Sequence, residues 1–190
     1  MHTLNNKTFL FAACLSALAG YVDAVGFLHL GGYFISFMSG NSTRLAINIA
    51  EGNAADIIML AGILSFFILG TMSGVFIHHF SQRDRASVNV LLYVATLLFI
   101  ASLTHEMAWG FVPILCMLVA MGAENAILQR NGEVVVGLTY MTGTLVKIGQ
   151  RLAGAVLGGP QLAWVPYLLL WLGLIWGGIT GAVMFQYFGL

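Results

Sequence analysis

The sequence predicts an all-α integral membrane protein with about seven hydrophobic helical segments, in two three-segment repeats joined by a linker helix, and three observations carry that expectation. Hydrophobic residues make up 59% of the 190 and charged residues only 7%, against roughly 25% charged in an ordinary soluble domain. Mean hydropathy is +0.93, and since a spanning helix takes about 20 predominantly apolar residues, the chain has room for about five to seven crossings and little else. The third observation is internal: TYMTGTLVKIGQRLA at 139–153 lines up under SFMSGNSTRLAINIA at 36–50.

Segment one covers about 8–30 and segment two about 33–50, divided by Gly31-Gly32, a pair suited to a tight turn. Lys7, the following apolar run and SALAG at 16–20 imitate a cleavable signal peptide, but the apolar run continues past Gly20 and a retained helix is expected. After the polar EGNAAD at 51–56, segment three covers about 57–80 and ends in His78 and His79. The loop with Arg83, Asp84 and Arg85 leads to segment four, about 88–104, which closes at His105-Glu106. Segment five, about 107–128, is followed by QRNGE; segment six, about 134–157, stops at GGP, where Pro160 lacks a donor and the glycines favour a turn. Segment seven, about 164–188, carries three of the four tryptophans, and Trp164 suits the headgroup level.

The internal likeness extends beyond segment two. Gly20, Asp23 and Ala24 correspond to Gly122, Asn125 and Ala126, and Gly70, Ser73 and Gly74 to Gly177, Thr180 and Gly181. Repeat one is thus about 8–80 and repeat two about 107–188, with 88–104 as the unpaired linker, all in one membrane domain. The Gly70 to Gly74 and Gly177 to Gly181 spacings let helices approach closely, within the chain or between copies of it.

Composition also excludes. Seven Lys+Arg balance seven Asp+Glu, so no basic surface for nucleic acid is expected. Cys14 and Cys116 fall in apolar runs and are expected to be packing residues rather than a disulfide or metal ligands. His78 and His79 point different ways on a helix and lack an HExxH or acidic cluster, so neither a metal nor another cofactor is expected. No GxSxG, Walker loop or GxGxxG appears, and the chain is not expected to be an enzyme.

Function therefore rests on polar residues inside apolar segments, where an ionised side chain costs at least a few kcal/mol and faces the bundle interior, a partner or water. Asp23 and Arg44, with Glu124 and Lys147, are expected to form two ion pairs. Phe37-Met38-Ser39-Gly40-Asn41 and Tyr140-Met141-Thr142-Gly143-Thr144 are expected to break two helices near mid-bilayer, because Gly lowers helix propensity and Ser, Thr and Asn satisfy freed backbone groups. Broken helices at corresponding positions of two repeats point to a transporter's binding site. The candidate solute or ion pathway is Asp23, Ser39, Gly40, Asn41, Arg44, Glu124, Asn125, Thr142, Gly143 and Lys147, with Arg44 and Lys147 favouring an anionic solute. The competing reading is a structural or assembly protein whose intramembrane charges are ion pairs only.

Two topologies remain. If all seven segments span, the repeats run parallel and the charge bias conflicts with Lys7. If segments two and six are re-entrant, five helices span, the repeats are inverted, and Lys7, Arg83, Arg85 and Arg130 share one side. Segment length favours the first arrangement, which is the leading expectation.

GYVDA at 20–24, FMSGNSTR at 37–44 and TYMTGTLVK at 139–147, over nearly the whole chain, resemble the YoaK-like family of bacterial multi-pass membrane proteins. In GAENA at 122–126 this chain has Glu124 where the resembled family commonly has Gln, so the Glu124 to Lys147 pair is not expected as a family-wide feature. The resemblance implies a bacterial cytoplasmic (inner) membrane location and no particular activity. The expected partners are the bilayer, a small solute and, through self-association, further copies of the chain.

Overall fold

The structure, a computed structural model, describes residues 6–82, 84–130, 133–134 and 139–188. Seven helices follow in order: α1 (Asn6–His29), α2 (Met38–Glu51), α3 (Ala54–Phe80), α4 (Ala86–Glu106), α5 (Val112–Glu124), α6 (Met141–Val156) and α7 (Val165–Phe188). Between α5 and α6 a two-residue antiparallel ladder pairs β1 (Gln129–Arg130) with β2 (Glu133–Val134). The protein is an all-α membrane protein: α1, α3, α4 and α7 are each long and apolar enough to cross a bilayer, and α5 is a shorter apolar helix.

Helices α2 and α6 depart from the expected full crossings. At 14 and 16 residues they rise about 21 and 24 Å, short of a hydrocarbon core of about 30 Å. Residues 33–37, counted by apolarity as the start of segment two, are not helical; of the start of segment six, residues 135–138 lie outside the described residues. Arg83 also lies outside them.

The path of the chain follows from its contacts. α1 ends at Gly31 and Gly32, whose φ values of 68° and 113° suit glycine, and the next residues fold back to Asp23, whose carboxylate accepts from the Ile35 and Ser36 amides. α2 then returns to the end it left, since Arg44 reaches the Gly32 carbonyl and the Tyr33 phenol meets Asp56 in the first turn of α3. Gly52, at φ 72°, caps α2, and Asn53 opens α3 by accepting from the Asp56 amide. We call this the far end. The His29 and His105 rings, 6.1 Å apart, place the end of α4 there too. At the near end, Phe9 packs edge-on against Tyr167 and Ser87 donates to the Ile127 carbonyl, which gathers the starts of α1, α7 and α4 with the end of α5.

Glycines set the two closest helix crossings. A methyl group on Gly177 would overlap Ala17, on Gly181 Tyr21, and on Gly20 Leu174, so α1 and α7 meet backbone to backbone. In the same register Gly70 meets Val119, Gly74 meets Ala123 and Gly122 meets Phe67, which joins α3 to α5. Residue numbers rise together at both crossings, so each pair is parallel. The small-residue faces are thereby consumed within the chain, where van der Waals contact and not the hydrophobic effect holds helices together.

α5 is the most enclosed helix, with Leu118, Ala120, Met121 and Glu124 fully buried between α3 and α4. The outer helices turn large apolar side chains outward, among them Ile58, Phe99 and Trp176, as a lipid-facing surface requires. Cys14 and Cys116 are free thiols, and Cys14 is exposed on α1 rather than packed.

Candidate functional site

The first helix break is held by side chains from both of its flanks. Asp23, on α1, accepts from the Ile35 amide at 2.8 Å, the Ser36 amide at 2.6 Å and the Ser36 hydroxyl at 2.7 Å. Asn41, on α2 and fully buried, accepts from the Phe34 amide at 3.1 Å and donates to the Phe34 carbonyl at 2.7 Å. Backbone that leaves a helix inside a membrane must find such partners, at several kcal/mol per group left unsatisfied. Gly40 sits against the Phe37 and Phe34 rings, where a side chain would collide. Arg44 donates to the Gly32 carbonyl and lies 4.4 Å from the centre of the Tyr33 ring.

Among the described residues the second break repeats part of this plan. Asn125, just past α5, donates to the Met121 carbonyl at 3.1 Å and accepts from the Thr139 hydroxyl at 3.4 Å. Thr144, buried like Asn41, donates among the described residues to the Tyr140 carbonyl, at 3.4 Å. Lys147 is exposed and stands 5.5 Å from the Tyr167 ring. Glu124 is fully buried, and among the described residues neither of its oxygens has a hydrogen-bond partner.

The two breaks share a cavity of about 240 Å³, lined by Ser36, Phe37, Met38 and Ser39 from the first, Thr139, Tyr140, Met141, Thr142 and Gly143 from the second, and Phe67 from α3. α2 and α6 both begin there, α2 running to the far end and α6 toward the near end. Their N-cap residues are Phe37 and Tyr140, with closely similar backbone angles and no capping side-chain hydrogen bond on either. A helix start leaves backbone N–H groups without intrahelical partners and carries a partial positive charge. The cavity thus combines hydroxyls, aromatic walls and two positive helix ends.

Of the residues singled out in the sequence, Ser39, Thr142 and Gly143 line this cavity, while Asp23, Gly40, Asn41 and Asn125 shape the loops around it. The two expected ion pairs do not form among the described residues. Asp23 spends its oxygens on the loop, Arg44 lies farther along α2 at the far end, Glu124 is unpartnered and Lys147 faces Tyr167. Sequence reasoning passed over Ser36, which supplies Asp23 with two donors, Phe67, which closes the cavity, and the cation partners Tyr33 and Tyr167. The only signal for Ser36 was its place just before the FMSGN motif. Among the described residues no three His, Cys, Asp or Glu side chains group as metal ligands.

Residues 11–190 match the family described as "Protein of unknown function (DUF1275)". The chain is 38% identical over 173 residues to the UPF0700 transmembrane protein RA0705 of Rhizobium meliloti (strain 1021), covering 90% of this chain and 73% of that one. It is 28% identical over 156 residues to the UPF0700 transmembrane protein YoaK of Bacillus subtilis (strain 168), covering 78% and 68%. No solved structure matches.

Proposed function

The chain belongs to the DUF1275 family of transmembrane proteins, and from that premise we propose that it is a transporter or channel for a small anionic solute, built from two repeats of opposite orientation. The observation that carries the reading is the cavity where the two helix breaks meet. Half-helices that begin at mid-membrane aim their positive ends at anionic groups in transporters of inverted-repeat design, and here two uncapped starts converge on one space. Support for the repeats comes from register: α1 meets α7 through the same succession of glycine contacts by which α5 meets α3. The Ser36 to Asp23 and Thr139 to Asn125 bonds also occupy corresponding places in the two motifs.

The solute is small, because about 240 Å³ lies below the usual range of about 300–1,000 Å³ for drug-sized ligands. Ser39 and Thr142 offer hydroxyls at the two helix starts, while Arg44 and Lys147 lie farther along α2 and α6. We assign the membrane as the bacterial cytoplasmic one, with the near end inside. Lys7, Arg85, Arg130 and Arg151 belong to that end and Arg44 to the other, the bias of the positive-inside rule.

The test is thiol protection. Single cysteines at Ser39 and Thr142, both exposed positions, in a background lacking Cys14 and Cys116, are labelled in proteoliposomes with and without nitrate, formate or sulfate. Slower labelling with one of these anions, and no effect of neutral urea, is the expected result. Thiols at both positions that never react, or that react identically in every anion, would sink the reading.

A further inference from the structure

We propose that Glu124 is a proton-binding site, occupied in this conformation, and that its proton is the coupling ion for solute movement through the cavity. The coupling rests on the transport reading; the site itself does not. Glu124 is the last residue of α5, fully buried, with no hydrogen-bond partner on either oxygen among the described residues. A carboxylate moved from water to such a place loses its solvation with nothing returned. The neutral acid is the form this packing accepts.

Asp23 is the contrasting case. Three donors converge on its oxygens, the environment of a carboxylate. Two carboxyl groups in environments this different do not hold a proton equally. Asp23, on α1, is the acidic group that acts on Glu124, and among the described residues neither α3 nor α4 presents a charged side chain to it. Among the described residues no cation is in place to hold an ionised Glu124 where it now lies.

Its neighbour gives the site a route to the cavity. Asn125, one peptide bond on, accepts from Thr139, and Thr139 lines the cavity. Ionisation breaks only the carboxyl O–H bond, with the proton passing to water. The resulting carboxylate must reach water or a donor, which pulls on the end of α5 and on the Asn125 to Thr139 contact. Reprotonation from the opposite side restores the sealed arrangement. A proton and the Asn125 to Thr139 contact are thereby linked.

The experiment compares wild type with Glu124→Gln, a neutral isostere of the acid, in proteoliposomes, after equal thermal midpoints show that both fold. Infrared difference spectra should show the carbonyl stretch of a protonated carboxylic acid at neutral pH in wild type and not in the variant. That band should shift in D2O and fade as pH rises. Absence of the band, or a band that neither exchanges nor titrates, overturns the proposal. The same vesicles, with a trapped pH dye, are then given gradients of nitrate, formate or sulfate. Anion flux that acidifies or alkalinises the lumen in wild type, with the pH change lost in Glu124→Gln, is expected. Flux of an anion in both proteins with no pH change overturns coupling and leaves transport standing. A titrating band with no anion flux refutes the transport reading and leaves the proton site standing.

Discussion

The two helix breaks follow a similar plan and, among the described residues, are anchored by different chemistry, a carboxyl group at the first and an amide at the second. At the first, an aspartate takes three hydrogen bonds of 2.6 to 2.8 Å and an asparagine clasps Phe34 by both its amide and its carbonyl. At the second, Asn125 stands where Asp23 stands and, among the described residues, accepts from Thr139 at 3.4 Å, while Thr144 donates to the Tyr140 carbonyl. Among the described residues the first loop is therefore held through an acidic side chain and the second through a neutral amide, so the two walls of one cavity answer differently to loss of their anchors.

The sharpest way to break this comparison is to remove the two anchors separately. Asp23→Ala strands two backbone amides and a hydroxyl at membrane depth, and at about 1–3 kcal/mol for each stranded donor it should cost about 3 kcal/mol or more. Asn125→Ala should cost about 1 kcal/mol. Thermal unfolding in detergent reads both, and equal losses would mean that the loops are equally secured. Next in size, Asn41→Ala should cost about 2 kcal/mol by releasing both polar groups of Phe34, against less than about 1 kcal/mol for Thr144→Val. Limited proteolysis should then cut near Phe34 in the first variant only.

Asp23→Asn sharpens the same point, because it keeps a carbonyl for the two amides and loses the charge. A cost of about 1–2 kcal/mol, between Asp23→Ala and wild type in the same melt, is expected. The smallest effects belong to the cations. Arg44→Met should lose about 1 kcal/mol with its ring contact and its bond to the Gly32 carbonyl. Lys147→Met should leave the melting curve unchanged, since Lys147 is exposed.

Much of this was legible in the sequence for a physical reason. Apolar runs and glycine spacings are local, so the helices and their close glycine crossings follow from the letters alone. The motif residues Ser39, Thr142 and Gly143 do reach a common cavity. The non-helical path of 33–37 was not legible, because what holds Ile35 and Ser36 out of a helix is a carboxylate 12 and 13 residues away. Apolarity counts those residues as membrane length whether or not they are helical. The ion pairs failed for a related reason: opposite charges on neighbouring segments suggest each other, but the nearest claim on Asp23 came from backbone amides, which carry no letter. Glu124 reads in sequence as a charge in search of a cation, and only its closed packing shows that it has none among the described residues.

The glycine crossing of α1 on α7 has a consequence for how the protein is made. Ala17 and Gly177 lie at opposite ends of the chain, so at roughly 5–20 residues per second of synthesis the first helix waits on the order of ten seconds for the surface it will pack on. Through that interval its small-residue groove is open to lipid or to any passing helix with a matching row of glycines, while α3 and α5 can already close on each other. The α3 and α5 half matures first, and α7 seals the molecule. A helper in the membrane that shields α1 until α7 arrives would raise yield without altering the finished protein.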